Sequence, residues 1–441
     1  MSLRRLGMAL PGKGLGFPEV RVLAWAMYDF ANTIFSMNVL TLYFALWVTQ
    51  DRGAPQIVFS LALSGSMLAV ALTSPMFGAV SDRFGRRIPF LTAFVLICVA
   101  FTAAIGQTGG LMVALVFFAI ANYAYQTGNV FYDALLPTVS QEHNRGRISG
   151  LGVGLGYVGT IAGILMVAPF VNHWGRGAAF LPTAVLFLLF ALPCFLLVKE
   201  SPSAVPWSAG LIKDGYSQLF RTLRHARHHS NLLTFIAARF LYVDAVNTLL
   251  IFMAVYVTRV IGFNDDQVRL LLIVSTTFAI VGAFLYGRVV DRLGPKKTLT
   301  VVLIQWAAVF VIAATTFYPP IFWVAGALAG IALGGTWTAD RAFLTRLAPP
   351  EQMGEFFGLY QLAGRFAAVT GPLIWGFTTD LLSAYEPWNF RIGILMLLLN
   401  LVLGFMVLTR VSDTHISIAA GGTPQLLGET RDNIDSSGER H

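Results

Sequence analysis

The sequence predicts an all-α membrane protein in which twelve transmembrane helices form two pseudo-symmetric six-helix bundles. Three observations predict it. The 441 residues are 56% hydrophobic and only 12% charged, with a mean hydropathy of +0.69, whereas water-soluble globular chains carry about a quarter charged residues. Apolar segments near the ~20 residues that a helix needs to cross the hydrocarbon core recur along nearly the whole chain. The second half of the chain also repeats polar signatures of the first at an almost constant offset, as set out below.

In order, the apolar segments run over residues 22 to 49, 56 to 80, 89 to 107, 111 to 136, 148 to 171, 178 to 198, 232 to 258, 268 to 290, 298 to 317, 320 to 345, 355 to 380 and 390 to 410. The first follows a short basic tail, 1 to 21, with Arg4, Arg5, Lys13 and Arg21. A cleaved signal peptide competes with a retained helix there, and the retained helix is preferred: the run far exceeds a signal h-region and no small-residue cleavage site follows. Residues 22–198 then form the first bundle and 232–410 the second. Between them, 199–231 reads as a linker along the membrane surface, with Pro202, Pro206 and several basic residues. The polar tail, 411–441, is expected to be disordered.

Twelve spans put both termini on one side, and basic loops decide which. The even-numbered connections hold Arg83, Arg86 and Arg87, then Arg145 and Arg147, then Lys199, Lys213, Arg221, Arg224 and Arg227, then Arg292, Lys296 and Lys297. The odd-numbered ones hold little beyond Arg52, Arg176 and Arg259. Both termini are therefore expected in the cytoplasm, with the plasma membrane as the expected location.

The same asymmetry accounts for the net charge of +8. Its residues are scattered over loops rather than gathered on a soluble face, which argues against nucleic acid as a partner. Cys98 and Cys194 lack the paired spacing of a metal or redox site. The stretch "RHARHHS" brings His225, His228 and His229 into the central loop, where a solvated basic segment accounts for them and no metal is assigned. Gly154, Gly156 and Gly159 satisfy GxGxxG, but inside a spanning helix rather than after a strand, so they mark no nucleotide site. Small residues four apart, Gly152 with Gly156 and Gly159 with Gly163, instead allow helices to approach closely. With no phosphate loop, zinc-ligand helix or nucleophile elbow in the sequence, neither an enzyme nor a cofactor is indicated, and a gradient is the energy source.

The repeat is specific. "FGAVSDRFGRRIPFL" at 77–91 returns as "YGRVVDRLGPKKTLT" at 286–300, an offset of 209 that aligns Gly78, Asp82 and Gly85 with Gly287, Asp291 and Gly294. "YDFANT" has its counterpart in "YVDAVNT", where Asp244 and Asn247 match Asp29 and Asn32 at an offset of 215. Gly146, Gly150, Leu151 and Gly156 align at 208 with Gly354, Gly358, Leu359 and Gly364. A duplicated half of six helices is the signature of a transporter whose two bundles rock about a central site.

The pattern Gly78, Asp82, Arg83, Gly85, Arg86, Arg87, with its copy Gly287, Asp291, Arg292, Gly294, Lys296, Lys297, resembles the signature that the major facilitator superfamily carries after its second and eighth helices. A carboxylate at the C-terminal end of a helix opposes that helix's dipole, so Asp82 and Asp291 should seek a cation or another helix's N-terminus. The resemblance implies that this contact latches the bundles on the cytoplasmic side, while the basic residues anchor the loop at the lipid surface; a plain positive-inside loop is the alternative. "WAMYDFANTIF" (25–35), "FYDALLPTVSQEHNRGRISGLGVGLGYVG" (131–159), "FLYVDAVNT" (240–248) and "EFFGLYQLAGRFAAVTGPLIWG" (355–376) are similar to the unknown major facilitator family that includes the autophagy-related vacuolar amino-acid effluxers of fungi. Gly156 is followed by Tyr157 and Val158 where an antiporter signature would have proline, so antiport is not implied.

An acid at the centre of a spanning helix costs about 2.5–3.5 kcal/mol on insertion scales and normally faces the bundle interior or a water-filled cavity. Asp29, Asn32 and Ser36 share one face of the first helix and are expected to line a common cavity. Asn122, Gln126, Asn129 and Asp133 form a stripe down the fourth, read as a hydrated path in preference to a seam bonded to a neighbouring helix. Thr336 and Asp340 lie one turn apart in the tenth, next to Arg341, and Gln361 with Arg365 one turn apart in the eleventh. Arg365 is expected to meet a substrate carboxylate or to pair with Asp340 or Asp244. Asp29, Asp244, Asp133 and Asp340 are the candidates for binding a proton, with Asn247 joining the path.

The expected function is secondary transport of a small polar or amphipathic solute by alternating access, coupled to protons, by a monomer in the lipid bilayer. The resemblance alone favours amino acids. An exporter of lipophilic solutes, drugs or lipids, and a non-transporting receptor or assembly factor on the same fold, are the alternatives.

Overall fold

Each of the twelve segments is a helix in the computed structural model, which describes residues 20–84, 86–141, 144–200, 217, 224, 229–348 and 353–412. The tail 1–19, most of the central linker with His225 and His228, Gly85, and the segment 413–441 lie outside the described residues.

The helices are α1 (Val20–Asp51), α2 (Gln56–Phe84), α3 (Ile88–Ile105), α4 (Leu111–Ala134), α5 (Arg145–Trp174), α6 (Phe180–Leu197), α7 (Ser230–Ile261), α8 (Asp265–Leu293), α9 (Pro295–Thr315), α10 (Pro319–Leu347), α11 (Met353–Leu381) and α12 (Trp388–Thr409). Among the described residues, eleven are long and apolar enough to cross a bilayer. The twelfth, α11, carries Arg365 and Asp380 within its 29 residues and packs inside the same bundle. Many helices overrun their apolar cores by a few residues, because their polar ends continue the helical hydrogen bonding into the interface.

Local sequence explains the boundaries. Proline opens α9 and α10, where the missing N–H costs nothing, and stands second in α3. α8 starts with a capping box, Asn264 Oδ1 accepting from Gln267 N–H at 2.9 Å and Gln267 Oε1 from Asn264 N–H at 3.0 Å, followed by Asp265 and Asp266 at the positive end of its dipole. α1 is not α-helical throughout: Ser36–Tyr43 and Trp47–Asp51 are wound as π-helix, as is Val257–Ile261 at the matching end of α7.

Packing repeats between the halves. In the first, α1 packs on α5 and α6, α4 on α2 and α3, and α3 on α6; in the second, α7 packs on α11 and α12, α10 on α8 and α9, and α9 on α12. The halves meet through α2 with α11 and α5 with α8, two pairs exchanged by the same pseudo-twofold relation. Small residues set the closest crossings. A Cβ on Gly159 would lie 2.7 Å from the Cα of Phe30, so α1 lies directly on α5 along the expected small-residue face, and Thr33 Oγ1 donates to Gly156 O at 2.7 Å across it.

Antiparallel connection of twelve helices brings residues 20, 229 and 412 to one end of the molecule, the termini face. Cross-half hydrogen bonds among the described residues run from mid-span to the opposite, far face. At mid-span, Ser64 Oγ donates to Val369 O at 2.7 Å and Arg365 donates to Ser74 Oγ. Towards the far face, Arg269 donates to Asn172 (2.7 Å), Arg259 to Thr49 O (3.2 Å) and Arg176 to Asp265 (2.7 and 3.0 Å). Among the described residues, the halves are thus clasped from mid-span to the far face.

Candidate functional site

The region between the halves from mid-span to the termini face, here termed the vestibule, is marked by charged side chains that make no ion pair among the described residues. Asp133, one residue from the end of α4, and Arg341, six residues from the end of α10, are exposed and make no hydrogen bond or ion pair among the described residues. Asp133 lies in the field of both Arg341 and Arg365, and Asp29 in that of Asp133 and Arg341. Acids of α1 and α4 therefore lie within electrostatic range of Arg341 of α10, and the acid of α4 also of Arg365 of α11. An interior that close-packs its apolar groups leaves opposite charges unpaired only at a cost, unless water or a bound molecule completes them.

Asp29 is half-buried and fixed by its neighbours. Its carboxylate lies over Gly152 of α5, so near that a Cβ there would stand 2.5 Å from Oδ2, and 2.9 Å from the Trp25 ring. Trp25, Tyr132 and Tyr28 stack beside it, with ring centroids 4.9 and 4.4 Å apart. Asn32 and Ser36 continue the half-buried face, and the Asn32 carbonyl has no partner. On α4, Gln126 and Asn129 are half-buried, with the Asn129 carbonyl also unpartnered. Gln361 of α11 is exposed and Asn247 of α7 half-buried.

Other predicted path residues lie elsewhere. Asn122 is fully buried and its amide donates to Ser66 Oγ at 2.7 Å, a seam between α4 and α2. Thr336, also fully buried, accepts from Trp306 Nε1 at 2.9 Å and ties α10 to α9. Helical spacing shows which residues share a face, and the neighbour that face meets is decided by packing.

The expected pairing of Arg365 with Asp340 is corrected. Asp340 is fully buried, and its partner is Arg239 of α7, whose Nε lies 2.8 Å from Oδ2. Tyr360 donates to the same carboxylate at 2.8 Å, Tyr242 donates to its other oxygen, and the Arg239 guanidinium lies 3.5 Å from the Tyr360 ring centroid while donating to Tyr360 O. This sealed cluster joins α7, α10 and α11. Arg365, freed from it, is half-buried and donates only to Ser74 among the described residues.

Nor is Asp244 the structural twin of Asp29. It is fully buried, Oδ1 accepting from Gly371 N–H and Oδ2 from Asn400 Nδ2, each at 2.6 Å. The signature Asp82–Arg83 closes α2, with side chains outside the described set; Gly78 and Gly287 have open space above their Cα atoms. Arg86 and Asp291 are exposed, and Asp291 makes no ion pair among the described residues. Arg87 N–H, with that of Ile88, is bound by Glu200, which caps α3. Arg292 is exposed at the end of α8, and Gly294 follows it at φ +82°.

A second space lies deeper, towards the far face. A cavity of about 170 Å³ is bordered by Met37 and Tyr157 from the first half and by Leu249, Met253, Leu271 and Phe322 from the second, with hydroxyls from Thr160, Ser275 and Thr276. Tyr157, on its border, also lies in the field of Arg341.

Known proteins share this architecture. A bacterial homologue of the human lysosomal transporter Spinster, in an inward-facing and unoccupied conformation, superposes with a TM-score of 0.71 at 16% identity, covering 92% of this chain and all of that one. The nucleoside transporter NupG gives 0.72 at 12% identity over 89% and 99%. In sequence, the chain is 26% identical to the uncharacterized MFS-type transporter YxiO of Bacillus subtilis over 87% of this chain and 94% of that protein. It is 25% identical to autophagy-related protein 22-1 of Neosartorya fischeri over 59% of this chain and 48% of that longer protein. The family model described as "Vacuole effluxer Atg22 like" matches residues 57–415. A duplicated twelve-helix bundle and a family match over more than three-quarters of its length agree: the chain belongs to the vacuole effluxer Atg22-like family, secondary transporters of the major facilitator fold that move small solutes and are not enzymes.

Proposed function

We propose that the solute is a small zwitterion of the amino-acid class, bound in the vestibule and carried by alternating access. The observation that carries this reading is the set of opposed charges that make no ion pair among the described residues, Asp133 and Asp29 against Arg341 and Arg365. A guanidinium fork suits a carboxylate and a carboxylate suits an ammonium, so one molecule bearing both groups completes the site and discharges its desolvation cost. Beyond Tyr157, the apolar cavity of about 170 Å³ is close to the ~150 Å³ of an engineered apolar cavity that admits benzene, which favours neutral amino acids with a branched or aromatic side chain. The effluxer description of the family agrees with transport of a solute across a membrane.

Coupling to protons belongs to the same reading, with Asp29 as the carrier because it is the acid of the duplicated pair that retains exposure. The basic loops of the termini face orient it to the cytoplasm, and a single chain contains the whole site. A lipophilic solute is the second reading, favoured by the apolar lining of the deeper cavity alone. A thermal-shift screen of the purified protein separates them. Stabilisation by free neutral amino acids, lost when either the amino or the carboxyl group is blocked, supports the zwitterion. Stabilisation that persists after blocking, or that is confined to lipophilic compounds, overturns it.

A further inference from the structure

The C-terminal end of α11 carries Asp380, a carboxylate set against the dipole of its own helix. It reaches across to the other half: Oδ1 accepts from Gln56 N–H at 3.0 Å and Oδ2 from Ile57 N–H at 2.6 Å, the first two N–H groups of α2. One contact thus satisfies two orphan donors and sets a negative charge at a positive helix end. The residue 208 positions earlier is Asn172, near the C-terminal end of α5. It too reaches across, Oδ1 accepting from Arg269 near the start of α8 at 2.7 Å. The same helix-end position in each half therefore clasps the partner helix at the far face, α11 on α2 and α5 on α8.

We propose that Asp380 and Asn172 are the paired gate residues of the far face, and that the vestibule gains access to that face only after the Asp380 carboxylate leaves the N-terminus of α2. The proposal rests on transport by rocking of the two halves and not on which solute is carried. The α2–α11 pair explains how such a gate alternates. At the far face the carboxylate of α11 sits on the N-terminus of α2; at the termini face α2 ends and α11 begins, so the same two helices have the ends for the inverse pairing there. Between them lie the mid-span contacts Ser64–Val369 and Arg365–Ser74. Rocking about this line makes one end contact as it breaks the other, so Asp380 is a positioning residue for the state seen here.

The test is a spin-label distance measurement across the far face, on the full chain in nanodiscs. The labels are attached at Gln107→Cys of the first half and Tyr385→Cys of the second; both positions are exposed, and the native cysteines are buried. The parent is expected to give a predominantly short distance. Asp380→Asn should move the ratio of short to long distances towards long by about ten-fold or more, the scale of a hydrogen bond to a charged group. Asp380→Glu should restore part of the short population, a rescue that a merely structural role would not produce. A distribution unchanged in Asp380→Asn overturns the proposal. Should Asp380→Asn fail to fold, Asn172→Ala reads the same equilibrium, and an unchanged distribution there overturns it equally.

Discussion

Removing the carboxylate of Asp340 tests whether the sealed cluster of the second half is scaffold rather than transport path. The acid is 0% exposed and Arg239 3%, and the carboxylate is shared by Arg239, Tyr242 and Tyr360. Asp340→Ala strands two hydroxyls and a guanidinium that retains only the Tyr360 ring and carbonyl. Deleting one partner of a buried ion pair costs about 3–5 kcal/mol, whereas ordinary interhelical hydrogen bonds in membranes average about 0.6 kcal/mol. The two magnitudes are well separated. Asp340→Asn keeps the shape and one acceptor but leaves Arg239 uncompensated, and should fall between them. Unfolding of the detergent-solubilised protein, with the Arg239→Ala, Asp340→Ala double-mutant cycle, reads these values. A loss below about 1 kcal/mol for Asp340→Ala, or no coupling within the cycle, would refute the reasoning and return Asp340 to the transport path.

Three further outcomes follow from the inequivalence of the repeated acids and from the crossing of α1 over α5. Asp29→Asn should abolish the response of transport to an imposed pH gradient in proteoliposomes while leaving thermal stability near the parent. Asp244→Asn should lower stability, since it turns a donor toward Gly371 N–H or Asn400; loss of pH coupling in Asp244→Asn but not in Asp29→Asn would reverse the assignment. Gly152→Ala should weaken solute binding at least several-fold without unfolding the protein, because the new methyl displaces the Asp29 carboxylate and the Trp25 ring; affinity at the parental level would show that the position of Asp29 is immaterial.

Architecture was legible because it depends on properties that sequence carries directly: segment length against bilayer thickness and a repeat at nearly constant offset. The small-residue face of α5 was legible for the same reason, since glycine spacing alone states where a neighbouring backbone can approach. Pairing was not. Asp340 lies one turn from Thr336 and next to Arg341, yet its partner is Arg239, 101 residues away, and only the packing of α7 against α10 and α11 brings them together. Asp29 and Asp244 repeat in sequence but not in environment, because α12 supplies Asn400 to one of them and, among the described residues, no counterpart amide reaches the other. Asn400 was a visible signal, an amide inside an otherwise apolar segment. Asp380 was visible as well, by the helix-dipole rule that singles out Asp82, but the N-terminus it would seek was not.

Counterflow in proteoliposomes bears most directly on the central claim that unpaired vestibule charges bind a zwitterionic solute. Liposomes loaded with unlabelled leucine should accumulate external labelled leucine when they contain the parent protein. Arg341→Gln and Asp133→Asn, both changes at exposed and unpartnered side chains, should each reduce that accumulation at least ten-fold with unfolding temperatures unchanged. Accumulation no greater than in empty liposomes across the neutral amino acids, or accumulation indifferent to both substitutions, would contradict the account.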